Sequence, residues 1–316
     1  MEKVRLGKSN ILVSKLCFGS LTMGPLQANM TPREGGNLLL YAFNKGINFV
    51  DTAEFYNNYN HIRYALEGYN RHDIVIATKS YAYSEKTAEA SLKKAFDEMK
   101  IDFVDIFMLH EQESKHTIRG HYEALEYFIK MKEKGYIGAV GISTHTIAAV
   151  KASLDYKEIE ILHPLINKAG LGIQDGNRHE MEKYLSKAHK QGKGIYGMKP
   201  LGGGNLLKDF KICFDYVLGL PFLDSIAVGM QRIEEIDINI ATFEGKKLDD
   251  GLLKKIRNKE RKLLIDFWCE ACGNCVEACK YDAIEIVDGV AVVDADKCIL
   301  CGYCSRSCPH FCIKII

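Results

Sequence analysis

Between Lys15 and Gly229, eight short apolar runs alternate with stretches of helical character, and that alternation limits the possible folds more than any other feature of the chain. The runs are KLCFGS (15–20), INFVD (47–51), DIVIATK (73–79), FVDIFMLH (103–110), IGAVGIS (137–143), EIEIL (158–162), GIYGMK (194–199) and DSIAVG (224–229). Val, Ile and Phe dominate them, as suits strands packed on both faces. The intervening segments, such as EALEYFIKMKEKG and HEMEKYLSKAHKQG, space apolar residues by three and four and close on Gly135 and Gly192, suitable helix C-caps. Strand–helix alternation implies a parallel sheet covered by helices. Eight such units match a closed (β/α)8 barrel, whose usual size is ~250 residues, and this unit is expected over residues 1–248. The competing open, doubly wound sheet usually carries a GxGxxG turn after its first strand. Here the first run leads into FGSLTMG, which lacks that spacing.

In such a barrel, chemistry sits where the strands end. Those positions give Asp51 after the second run, Lys79 after the third and His110 after the fourth, with Tyr56 five residues beyond Asp51. Singly each has an ordinary explanation: a helix N-cap, a solvated strand end, a hydrogen-bonded core histidine. Together they form a proton-transfer set. A phenol titrates near ~10, too high for an efficient acid at neutral pH, and a neighbouring ammonium group is expected to lower that value. The carboxylate holds the lysine in place, and the histidine orients a substrate oxygen.

The stretches DTAEFY (51–56), ATKS (77–80) and VDIFMLH (104–110) resemble the signatures of the aldo-keto reductase family. RLGKSNILVSKLCFGSLTMG near the start, and the later GAVGIST and PLGGG, resemble the same family in the expected order. The resemblance implies a (β/α)8 TIM barrel that binds NADP(H) or NAD(H) without a Rossmann domain. It makes Tyr56 the general acid, tuned by Lys79 and Asp51, with His110 placing the carbonyl of a small aldehyde, ketone or alcohol substrate. It assigns coenzyme contacts to Ser143, Thr144, His163, Asn167, Met198, Lys199, Leu201, Gly229 and Arg232. Three of these depart from the family pattern. Thr144 stands for Asn and His163 for Gln, both still competent hydrogen-bonding groups. Met198 stands for a ring-stacking Tyr and is a softer platform. After the eighth run, Arg232 is followed by Glu234 and Glu235, so the choice between NADPH and NADH stays open, with the family favouring NADPH.

Nine of the eleven cysteines lie between Cys269 and Cys312. Cys269, Cys272, Cys275 and Cys279 form C-x2-C-x2-C-x3-C, and Cys298, Cys301, Cys304 and Cys308 repeat it 29 residues later, with YDAIEI echoed by HFCIKI. The duplication is the bacterial two-cluster ferredoxin pattern, in which each fourth cysteine ligates the other half's cluster. That pairs Cys269, Cys272, Cys275 and Cys308 around one [4Fe–4S] cluster, and Cys298, Cys301, Cys304 and Cys279 around a second. Zinc is the rival, since paired CxxC also suits a tetrahedral thiolate site, but overlapping CxxCxxC runs favour cubane clusters. The tail, residues 267–316, resembles ferredoxins and is expected as a ferredoxin-like α+β domain, joined to the barrel by a connecting helix over 249–266. Lys280 replaces the proline that Pro309 supplies in the second half, and Cys312 reads as a small buried hydrophobe.

A formal net charge of +1 gives no electrostatic reason to expect nucleic acid or an anionic membrane. No apolar run approaches the ~20 residues that span a bilayer, and MEKVRLGKSN has no signal-like apolar stretch, so cytoplasmic placement is expected. The two halves pose a problem of electron counting. A nicotinamide passes two electrons as hydride and a cubane cluster passes one, and a flavin normally converts between them. No flavin site is visible in the sequence. The favoured reading is a carbonyl reductase or alcohol dehydrogenase whose tail is structural or docks a redox partner, a flavoprotein or ferredoxin. A second reading is an electron-transfer module with a drifted barrel, and a third is a tail that senses oxygen or iron. The loops expected to choose the substrate, 111–116 and 164–178, show no chemical theme.

Overall fold

The computed structural model describes residues 1–257 and 260–316. A hairpin, β1 (Lys3–Arg5) and β2 (Leu12–Ser14), precedes eight parallel strands: β3 (Leu16–Gly19), β4 (Phe49–Asp51), β5 (Val75–Ser80), β6 (Val104–Leu109), β7 (Ile137–Thr144), β8 (Ile161–Pro164), β9 (Gly194–Met198) and β10 (Ser225–Gly229). They close in sequence order, β10 pairing back onto β3. Seven strands form within a residue or two of the expected runs. The sixth is displaced, to Ile161–Pro164 instead of 158–162. Glu158 and Glu160 are engaged at the barrel's edge by Tyr122 and Lys132 from a neighbouring helix, and the strand begins beyond them.

Two buried clusters express the two faces of the sheet. Leu16, Phe18, Val50, Ile76, Phe107, Leu109, Val140 and Leu162 pack outward against the helices. Cys17, Phe49, Val75, Ala77, Ile106, Met108, Ile161 and Tyr196 pack inside the barrel, and Leu6 and Val13 from the hairpin region seal its lower end. Within single strands the sets alternate, as the period of two requires: Phe49 in, Val50 out; Ile106 in, Phe107 out, Met108 in. Helices are set by local signals as well. Thr31 caps Pro32–Asn44 and Ser84 caps Glu85–Met99, each through a reciprocal capping box.

Where a connecting helix is expected over 249–266, a helix spans Asp250–Arg257. Residues 258 and 259 lie outside the described residues, and Leu263–Ile265 is a strand, β11, not helix. The reason is a partner that is distant in sequence: β11 pairs antiparallel with β14 (Ile313–Ile315). The rest of the tail holds the hairpin β12 (Ile284–Val287) and β13 (Val290–Val293) and two short helices, Asn274–Glu277 and Tyr303–Ser307. The duplication extends to the backbone. Left-handed residues recur in register: Ala271 (φ 52°) with Leu300 (54°), Gly273 (82°) with Gly302 (80°), and Asp282 (49°) with Phe311 (50°).

The tail docks on the mouth of the barrel. Ile315 N–H donates to Gly203 O at 3.0 Å, and Asn205 Nδ2 donates to Ile313 O at 3.1 Å. The docking explains the glycine run after β9. Gly204 holds φ 87°, and a side chain there would strike the Ile315 carbonyl oxygen.

Candidate active site

The period of two that points Phe49, Val75 and Ile161 inward also delivers Asp51, Lys79 and His163 to the barrel axis at its carboxyl end. Lys79 Nζ donates to both Asp51 carboxylate oxygens at 2.8 Å and to Thr52 O at 2.7 Å. Both side chains are buried, so the pair meets the requirement that a buried charge be paired and hydrogen-bonded. Tyr196 Oη adds a further bond to Asp51 Oδ1 at 2.8 Å. The His163 ring stacks on Tyr196 at 3.9 Å and donates from Nδ1 to the Tyr196 carbonyl at 2.7 Å, leaving Nε2 3.6 Å from Asp51 Oδ1. Burial lowers the His163 pKa to about 4, so the ring is neutral.

Tyr56 ends a short 3-10 turn after β4, with Lys79 Nζ 5.1 Å from its ring centre. His110 lies edge-on to it at 5.7 Å and stacks on Tyr81 at 4.5 Å. The expected lowering of the Tyr56 pKa is not found. Burial, then Asp51, Glu111 and Tyr81, push it well above the ordinary phenol value. Lys79 is bound on Asp51 by two hydrogen bonds, so the phenol meets a neutralised pair and not a bare cation. Tyr56 therefore rests as the neutral phenol, the form that donates a proton. His110 is held well below its ordinary range by burial, Lys79, His163 and Lys199. It is neutral, and among the described residues its buried Nδ1 has no hydrogen-bond partner.

Asp51 and Tyr56 of this set line a cavity of about 750 Å³, within the range of small-molecule and cofactor sites. Of the residues expected to hold coenzyme, His163, Met198, Lys199, Leu201 and Gly229 line it. Ser143 is buried with its Oγ accepting from Glu111 N–H, and Thr144 bonds Thr146. Asn167 braces the loop after β8 through Leu171 N–H and O. Arg232 is exposed at the start of Ile233–Phe243 and is not among the lining residues; the basic residues that are include Lys208 and Arg261. Sequence reasoning missed Tyr196, which strand periodicity could have placed inward beside His163. It also missed the contribution of the tail: Ile299, Leu300, Cys301, Lys314 and Ile315 line the same cavity, and no local pattern signals that.

The cysteines gather as two quartets. Cys269, Cys272, Cys275 and Cys308 ring one small cavity, with Cys312 beside them, and Cys279, Cys298, Cys301 and Cys304 ring the other. Electrostatic interactions respect the same division. Cys275 feels Cys269, Cys308 and Cys272, whereas Cys304 feels Cys301, Cys298 and Cys279. Among the described residues, no three His, Cys, Asp or Glu side chains converge closely enough for one ion. Thiolates spread around a cavity fit a cluster, whose irons lie between them, better than a single zinc with Zn–S distances of ~2.3 Å. Ala283 N–H donates to Cys279 Sγ and Cys312 N–H to Cys308 Sγ, both at 3.3 Å, repeating once more in register. Cys312 itself is buried and its Sγ turns to the Trp268 carbonyl.

A profile described as the Aldo/keto reductase family matches residues 15–212, and one described as a 4Fe-4S binding domain matches 266–285 and 291–314. An L-galactose dehydrogenase of Arabidopsis thaliana is 21% identical over 300 residues, covering 81% of this chain and 93% of its own. An uncharacterized ferredoxin of Methanocaldococcus jannaschii is 38% identical over 64 residues, covering 19% of this chain and 42% of its own. Among solved structures, an aldo-keto reductase of Bacillus halodurans in its holo form superposes with a TM-score of 0.64 at 22% identity, covering 81% of this chain and 95% of that one.

Proposed function

The chain belongs to the aldo/keto reductase family and carries an appended iron–sulfur domain, and from that premise we propose that it reduces an aldehyde or ketone, or oxidises the alcohol, with NAD(P)H. The single observation that carries this reading is the buried Asp51–Lys79 pair with Tyr56 above it and His110 beside Tyr56, in a site where Asp51 and Tyr56 line the 750 Å³ cavity. The residues lining that cavity suit a dinucleotide. Met198 and Leu201 offer apolar packing, while the bare faces of Gly203 and Gly204 are taken up by the tail and that of Gly229 by Thr22.

When bound, the nicotinamide coenzyme supplies the hydride. The chain's own residues supply the rest. Tyr56 holds the proton that the carbonyl oxygen takes up, because burial keeps its phenol neutral. Neutral His110 is the second hydrogen-bonding group beside that oxygen. The charge left on Tyr56 after proton transfer is met by Lys79, whose hold on Asp51 keeps it fixed at 5.1 Å. Met198 and His163 line the same cavity, and Ile299, Leu300, Lys314 and Ile315 of the tail add to its wall. Tyr56→Phe is expected to lower NADPH-dependent carbonyl reduction by about 10²–10⁴-fold while coenzyme titrations stay unchanged. Equal turnover by the variant, or no coenzyme binding by either protein, overturns the reading.

A second reading concerns the cysteine quartets, two [4Fe–4S] clusters serving as a relay to a redox partner protein. Exposure of Cys272 and Cys301 favours it, since a one-electron partner needs an approachable cluster edge. Reduction of the cluster-replete protein by dithionite-reduced ferredoxin, followed by its visible absorbance, tests it. No bleaching would leave the tail a structural element.

A further inference from the structure

One wall of the cavity is built at the seam between barrel and tail, and it carries two lysines, Lys199 and Lys314. Lys199 follows β9 in a left-handed conformation (φ 57°), and its Nζ lies 3.0 Å from His145 Nε2. Burial holds His145 far below its ordinary range, so its ring is neutral and accepts from the lysine. His145 lies 3.9 Å from Glu111, and Glu111 accepts from Tyr81 Oη at 2.6 Å, whose ring stacks on His110. Lys199 is thereby linked step by step to the residue beside the carbonyl site.

From the tail comes Lys314, only 5% exposed. It pairs with Asp266 at 3.2 Å, bonds the Phe311 carbonyl, and stands over the rings of Phe311 and Trp268 at 3.8 and 5.7 Å. Lys199 Nζ stands over the same Phe311 ring at 5.0 Å. Phe267 then meets Phe55 at 6.0 Å, and Phe55 meets Tyr81 at 6.1 Å, which closes a rim that is half barrel and half tail. Two lysines thus face one chamber. Asp266 answers Lys314, whereas among the described residues no carboxylate lies within ion-pair distance of Lys199. Two ammonium groups crowded at a desolvated seam are unfavourable for the empty protein, and the crowding is relieved when an anion enters.

We infer that Lys199 and Lys314 form an anion subsite for the carboxylate of a carbonyl acid, so that the iron–sulfur domain selects the substrate of the barrel. The inference rests on the reductase reading and names its substrate class.

The test compares 4-carboxybenzaldehyde with methyl 4-formylbenzoate, matched in shape and differing in charge. Binding to the cluster-replete protein is measured by calorimetry with and without NADP+, and kcat/KM with NADPH. The acid is expected to bind at least ~10-fold more tightly than the ester, as a charge-assisted pair in a buried site would give. Lys314→Met and Lys199→Met should each erase most of that ratio, and Lys314→Arg, which keeps the charge, should retain it and shows that the tail still docks. Equal binding of acid and ester overturns the inference. So does a ratio that survives both Met variants, or loss of NADP+ affinity in place of loss of the ratio, which would assign the lysines to the coenzyme. Failure of the reductase reading looks different: absent coenzyme binding or turnover indifferent to Tyr56.

Discussion

In the barrel, the residues that hold the fold and those that line the site are separate sets; in the tail the two sets overlap. The outward sheet layer of Phe18, Val50, Phe107 and Val140 packs on helices and touches no chemistry, while Asp51, Lys79 and His163 sit on the inner face at the strand ends. The buried core of the tail is Leu263, Cys275, Ile284, Ala291, Cys304, Ile313 and Ile315, and two of those seven are proposed cluster ligands. A core that small rarely sustains a domain unaided. The barrel can tolerate changes in its chemistry without losing its shape, and the tail cannot.

Removal of iron breaks the comparison most directly and has the largest expected effect. Metal binding in small domains is commonly coupled to folding. Anaerobic chelation should abolish hydrogen-exchange protection across 266–316, while amides of β3–β10 keep theirs. Retained protection in the iron-free tail would place its stability in ordinary packing and erase the contrast with the barrel.

The next test lies at a charged pair that the barrel buries. Lys79→Met leaves the Asp51 carboxylate, 4% exposed, facing only Tyr196 and His163. Removing one partner of a buried pair costs about 3–5 kcal/mol, read as a lower urea midpoint for the barrel. Adding Asp51→Asn should recover part of the loss, because the unpaired charge is gone. Equal stability of the single variant would mean that solvent reaches Asp51.

How much of this was legible in the sequence follows the same division. Strand periodicity and strand ends placed Asp51, Lys79 and His110, because an inward position is a local property of alternation. Cysteine spacing placed three members of each quartet, and the resemblance to two-cluster ferredoxins supplied the fourth from the other half. Long-range consequences were hidden. Tyr196 looked like one more apolar strand residue until the closed barrel put its hydroxyl on Asp51. The direction of the Tyr56 shift depended first on burial of the ring and then on Asp51 beside it, which composition does not show. Leu263–Ile265 continued a helical pattern and became a strand only because Ile313–Ile315 arrives beside it. Lys314 and Phe311 reach the barrel mouth through docking on Gly203 and Gly204, and glycines advertise free space without naming the occupant.

The smallest expected effect is also the one that joins the two regions. Lys199 belongs to the barrel, yet its pKa is lowered to about 7, by burial first and then by Lys314 of the tail; Glu111 and Asp266 act in the opposite sense, and Lys79 adds to the lowering. His145, its hydrogen-bond partner, is neutral throughout. Below pH 7 the lysine carries its charge, and a bound carboxylate favours that charged form, so affinity for 4-carboxybenzaldehyde should be flat there. Above pH 7 the free protein must take up a proton to bind the anion. Affinity then falls, with a limiting slope of about tenfold per pH unit, until the pKa of the liganded lysine is passed. Calorimetry in buffers of different ionisation enthalpy should register the same proton uptake. Methyl 4-formylbenzoate should show no such slope, and Lys199→Arg, charged across the whole range, should flatten the profile of the acid. A slope shared by acid and ester would tie the titration to the common carbonyl end, at Tyr56 and His110, and detach Lys199 from substrate choice.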